Sequence, residues 1–118
     1  MSKLSKHFDR SEFQCKCFNE CGKDTVDAEL ITVLEDVREH FNQPVRINSA
    51  YRCSVSNKRV NGSENSQHLN GKAADITVDN ITPLGVLSYL TSKYPNKYGI
   101  GRYQSFTHID VRSTKARW

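Results

Sequence analysis

The ten residues from Ser66 to Asp75, Ser-Gln-His-Leu-Asn-Gly-Lys-Ala-Ala-Asp, limit what this 118-residue chain can fold into more than any other stretch. His68 and Asp75 stand seven residues apart, with Gly71 and the small pair Ala73-Ala74 between them. Glycine there suits a tight loop that passes close to packed neighbours. The run Ala73-Ala-Asp-Ile-Thr-Val-Asp79 is rich in β-branched residues and reads as a strand. If the loop feeds that strand directly, the imidazole and the carboxylate reach one point. Phe106-Thr-His108-Ile-Asp110-Val-Arg112 offers a second histidine on a neighbouring predicted strand. Two imidazoles and one carboxylate, with a fourth position left to water, are the plan of a catalytic zinc site. Spacing alone also admits surface histidines and an aspartate that merely ends a turn.

Helices and short strands surround these segments. Residues 1–24 read as irregular, with one helical turn near Asp9 to Phe13. Leu30, Val33, Leu34, Val37 and Phe41 recur at three- and four-residue spacing, which predicts a helix over 27–41 with one apolar stripe. Asp27 is its expected N-cap, with Glu29 well placed in the first turn. Asn42-Gln43-Pro44 ends it, because a residue before proline resists helical geometry. Val45 to Ser49 alternates as a strand, and Ser54 to Val60 reads as a short helix closed by Asn61-Gly62. Thr82 as N-cap and Pro83 at the first helical position open a second long helix. Its expected apolar face is Leu84, Leu87 and Leu90, and Tyr94-Pro95 stops it. Tyr98 to Tyr103 and Phe106 to Val111 read as closing strands, a hairpin around Gln104-Ser105. The order predicts an α+β fold, a small antiparallel sheet with flanking helices. One domain over residues 1–118 is expected, with segment 1–24 packed on it.

Charge and hydropathy narrow the classes further. No apolar run approaches the roughly 20 residues of a bilayer span, so membrane insertion is not expected. The opening residues lack the continuous apolar stretch of a secretory signal. The expectation is synthesis in the cytoplasm, with any action outside it needing separate machinery. Seventeen basic against thirteen acidic residues give +4, which allows nucleic acid, anionic lipid or wall polymer as partners. Apart from Lys58-Arg59 and the group Arg112, Lys115 and Arg117, the basic residues are scattered. Without a concentrated basic stripe, nucleic-acid binding is not expected.

Ser66, His68, Gly71, Ala73 and Asp75, in the pattern Ser-x-His-x-x-Gly-x-Ala-x-Asp, resemble the zinc-binding signature of the M15 peptidases. That family includes D-Ala-D-Ala carboxypeptidases, vancomycin-resistance dipeptidases and phage L-alanyl-D-glutamate endolysins, and shares its fold with the hedgehog signalling domain. Ile47-Asn-Ser-Ala-Tyr-Arg52 is similar to the family's Ser-Gly-Tyr-Arg strand end, and Phe106 to Val111 to the segment bearing the last ligand. The opening, Leu4 to Phe13, is similar to short phage and prophage members. The resemblance implies one Zn²⁺ held by His68, Asp75 and His108, and a peptidase acting on peptidoglycan stem peptides. Arg52 falls where the family places an arginine that holds substrate or steadies an oxyanion; the plainer reading is a surface salt bridge. Ser66 matches a serine that bonds substrate, or is simply a turn hydroxyl.

One departure stands out. Relatives often carry an acid three residues before the last histidine ligand, or a histidine two before it, as catalytic base. Here those positions are Ser105 and Phe106. Asp110, two residues past His108 and on the same strand face, is the candidate base; the other reading makes it an orienting partner of a ligand or an arginine. Two functions follow: a wall-lytic peptidase, probe-ready by digestion, or a weak or inactive module that binds wall peptide or a phage structural partner. A monomer is expected.

Cys15, Cys17, Cys21 and Cys53 admit reduced buried thiols, a disulfide or a second, structural zinc site. A small nucleic-acid-binding zinc protein built on them is the third reading. Phe8, Phe13 and Phe41 are expected in the core, and His7 and His40 as exposed or structural. Tyr51, Tyr103 and Trp118 can line a groove or pack at its rim.

Overall fold

The computed structural model describes residues 4–13, 15, 26–52 and 67–118. A 3₁₀ turn at Arg10–Phe13 precedes helix α1 (Ala28–Phe41) and strand β1 (Val45–Ser49). A second 3₁₀ turn, Gln67–Asn70, leads into β2 (Ala73–Val78). Helix α2 (Pro83–Lys93), the hairpin β3 (Gly99–Arg102) and β4 (Thr107–Asp110), and a short β5 (Ala116–Arg117) complete the order.

Local chemistry accounts for the boundaries. The Asp27 side chain accepts from the Glu29 N–H at 2.8 Å and starts α1. At the other end Asn42 takes a left-handed conformation, φ 53°, and its N–H bonds back to the Arg38 carbonyl. Thr82 Oγ1 accepts from the Gly85 N–H at 3.1 Å and caps α2, with Pro83 in its first turn. The predicted apolar face of α2 needs correction. Val86 and Leu90 are buried, whereas Leu84 is 58% exposed. Positions 86 and 90 are four apart and share a face, while steps of three from 90 back to 84 rotate the side chain away.

The sheet runs β1-β2-β4-β3-β5. All pairs are antiparallel except β3 with β5, which is parallel. That last strand was not expected; two residues carry too little pattern to read. Alternation along the strands gives the sheet two faces. Ala74, Ile76, Val78, Ile100 and Ile109 lie on one, in a cluster with Leu30, Leu34 and Val37 of α1 and Val86 and Leu90 of α2. Each fully buried isoleucine or leucine there contributes about 1.5–3 kcal/mol. Phe8 and Phe13 join this core as expected, and Phe41 is partly buried against it. His40 stacks on Tyr89 at 3.7 Å, and the His7 ring bonds Glu35 at 2.6 Å.

The other face carries Asp75, His108 and Asp110. A bulge between Ile47 and Ser49 shifts the pairing so that Ser49 stands opposite Asp75, while Asp75 faces His108 and His108 faces Gly101. The expected helix at Ser54 to Val60, and Cys17, Cys21, Cys53 and Ser66, lie outside the described residues; Cys15 is buried. No helix among the described residues is long and apolar enough to cross a membrane.

Candidate metal centre

The turn holding His68 is tied down on both sides. The Arg52 N–H donates to the His68 carbonyl at 3.1 Å, joining the end of the β1 segment to the turn. Gly71 takes φ 68°, which glycine adopts without steric cost, and redirects the chain into β2. The His68 side chain is buried, and its Nδ1–H donates to the Ala50 carbonyl at 2.6 Å. That bond leaves the Nε2 lone pair facing Asp75 Oδ1 at 3.3 Å. His108 reaches the same oxygen from β4, with Nδ1 at 2.9 Å. Its Nε2 lies 2.7 Å from Asp110 Oδ2.

One ligand atom from each of His68, Asp75 and His108 lies within 4.8 Å of the others. Two strands and one turn thus bring together the three residues named from sequence. Burial works to raise the Asp75 pKa, but bonds from His108 and His68 outweigh it and hold the carboxyl down at about 2. Burial works to lower His108, and its bonds to Asp110 and Asp75 overcome that and raise it. Asp110 is held at about 2: burial raises it, and the bonds from Arg112 and His108 prevail. The donor set therefore contains a carboxylate ionised at neutral pH and two imidazoles with one nitrogen each directed at it. The other nitrogen of each ring is already engaged, which fixes the ring orientation. This arrangement fits a divalent ion of the kind bound by nitrogen and oxygen donors.

A family model described as Peptidase M15 matches residues 6–110, a span that contains all three donors in order. The chain belongs to the M15 peptidase family. No individual curated protein matches it at a significant level. The M15 signature residues His68, Gly71, Ala73 and Asp75 fall on the turn, its hinge and the first half of β2.

Arg52 is half-buried beside this centre. Burial lowers its pKa, while the Asp75 carboxylate and Tyr103 favour its charge. Asp110 is fully buried, and both its oxygens are engaged: Arg112 Nε meets Oδ1 at 2.8 Å and Nη2 meets Oδ2 at 2.7 Å, beside the His108 bond. It meets the His108 ring at Nε2, the nitrogen across the ring from the Nδ1 that faces Asp75. Tyr51 is half-buried, and Tyr103 and Trp118 are exposed large aromatics. The indole of Trp118 lies 5.0 Å from the His108 ring, and its Nε1 donates to the Tyr103 hydroxyl at 2.9 Å. Sequence reasoning left Gly99, Gly101 and Arg112 out of the site. The spacing of two that takes His108 and Asp110 of β4 on to Arg112, just past the strand end, was the available signal.

Proposed function

We propose that this M15 chain is a zinc-dependent peptidase that hydrolyses peptidoglycan stem peptides, as a phage or prophage wall-lytic enzyme. The observation that carries the reading is the convergence of His68, Asp75 and His108 in a family of metallopeptidases. Zn²⁺ bound there supplies Lewis-acid activation of water and polarisation of the scissile carbonyl. His68 and His108 would hold it through Nε2 and Nδ1, with their remaining nitrogens fixed by Ala50 and Asp110. Arg52 presents a cation next to the centre, suited to a stem-peptide carboxylate or to the charge that builds on the carbonyl oxygen during attack. Ser66 serves as a substrate hydrogen-bond partner. The scissile bond is either the terminal D-Ala-D-Ala bond or an internal one such as L-Ala-D-Glu. The enzyme acts at the bacterial wall as a monomer, and its +4 charge favours an anionic envelope.

A second reading is favoured by one observation. Ser105 and Phe106 are not proton acceptors at neutral pH, and Asp110 is engaged by His108 and Arg112. A module that keeps the fold and metal but binds wall peptide without rapid cleavage fits those facts. Digestion of purified peptidoglycan, with fragments identified by mass, separates the readings. Released D-alanine or a cut after L-alanine supports the peptidase and selects its bond; intact muropeptides with retained wall binding support the module. The His68→Ala variant is expected to lose both metal and cleavage, and full activity of that variant without metal would sink the mechanism.

A further inference from the structure

The segment that follows β4 lies beyond the residues matched by the family model, yet it closes around His108. Arg112 grips Asp110 with a two-pronged fork, and its own N–H donates to Asp110 Oδ1 at 3.2 Å. Asp110 Oδ2 in turn meets His108 Nε2 at 2.7 Å. The indole of Trp118 packs on the His108 ring, and the Arg112 guanidinium lies 5.1 Å over that indole. One arginine therefore touches both parts that contact the imidazole.

The backbone of this segment is firmly placed. The Arg102 N–H donates to the Trp118 carbonyl at 2.7 Å, and the Trp118 N–H to that of Ile100 at 3.3 Å. The Arg117 guanidinium donates to the carbonyls of Tyr94, Lys97, Tyr98 and Ala116. Strand β3 leaves the space the assembly needs. A Cβ on Gly99 would lie 2.5 Å from both Asp110 oxygens, and one on Gly101 would lie 2.6 Å from the indole.

We propose that Arg112 and Trp118 are positioning residues that hold His108 in its metal-binding orientation, Arg112 through Asp110 and Trp118 by direct packing. The physical reason is rotational. An imidazole is free to turn about its ring torsion and to present either nitrogen. The Asp110 carboxylate, itself fixed by the fork, selects Nε2–H as the inward donor and leaves Nδ1 for the ion. The indole blocks the swing of the ring away from that bond. The proposal rests on the reading of His68, Asp75 and His108 as ligands.

The test is titration of the purified chain with Zn²⁺, followed by proton NMR of the loaded protein. Arg112→Met and Trp118→Leu are compared with wild type and with Leu90→Ala, a variant in the core on the opposite face of the sheet. The expected result is a 10–100-fold loss of Zn²⁺ affinity in the first two, and none in folded Leu90→Ala protein. The His108 Nε2 proton, hydrogen-bonded to Asp110 and protected from exchange, is expected as a downfield line in loaded wild type and to broaden away in Arg112→Met. Trp118→Phe, which keeps a ring on the imidazole, is expected to recover most of the affinity, and serves as the measurement should Arg112→Met fail to fold. Wild-type affinity in both variants, or losses that simply track stability as in Leu90→Ala, would overturn the positioning role. Failure of wild type itself to bind Zn²⁺ would overturn the ligand reading and the proposal with it.

Discussion

Gly101 lies directly beneath the indole of Trp118. A Cβ at this position would come within 2.6 Å of two indole ring atoms, so the two residues occupy complementary space. Gly101→Ala is expected to displace the indole and to cost about 1–3 kcal/mol through overpacking. Trp118 is the sole tryptophan of the chain, so its emission spectrum reports the displacement and urea unfolding reports the cost. Unchanged emission together with unchanged stability would show that the two do not share this space.

Metal should stabilise the folded chain measurably. An ion at one hundred times its dissociation constant adds about 2.7 kcal/mol to the native state. For a domain of this size that is a rise in melting temperature on the order of 10 °C. Differential scanning calorimetry with Zn²⁺, then with excess chelator, checks both the rise and its reversal. His68→Ala is expected to show neither.

The regular elements were legible because their signals are local. Asp27, Thr82 and Pro83 mark helix starts by side-chain chemistry that acts within three residues, and both helices begin where those residues predict. His68, Asp75 and His108 were legible because a loop-to-strand histidine and two paired strands leave few ways to arrange them. Leu84 was misread because apolar identity says nothing of angle over a drifting three-residue repeat. The wall behind His108 was hidden for another reason: Arg112, Trp118 and Gly101 meet only after β5 lies alongside β3, and no short-range pattern announces that pairing.

Asn42 ends α1 with φ 53°, a conformation costly for most side chains. Asn42→Gly is expected to leave stability within a few tenths of a kcal/mol or raise it slightly, whereas Asn42→Ala should lose about 1 kcal/mol. Chemical denaturation of the pair checks the order; equal stabilities would contradict the left-handed cap.

Glu35 anchors the N-terminal segment to α1, accepting from the Ser5 hydroxyl, the His7 N–H at 2.8 Å and the His7 ring at 2.6 Å. Burial works to raise its pKa, but the bonds from Ser5 and His7 outweigh it and hold it below the ordinary 4.5. A lowered carboxyl stabilises the fold fully above its unfolded value and loses that contribution as pH falls through its folded value. Glu35→Gln is therefore expected to be less stable than wild type by about 1–2 kcal/mol at pH 7, with the gap closing as pH drops below 4.5. Unfolding curves across that range test the sign, and a gap constant with pH would remove Glu35 as the cause.

Ser49, Asp75, His108 and Gly101 form a single line across four strands. A slip of β4 by one residue against β2 would set Thr107 or Ile109 opposite Asp75 and turn the imidazole towards the apolar core. Misaligned sheets of this sequence thus have no complete ligand set. An ion held by these three residues would favour the one alignment that completes its ligand set over alignments that backbone hydrogen bonding alone would treat as near equals.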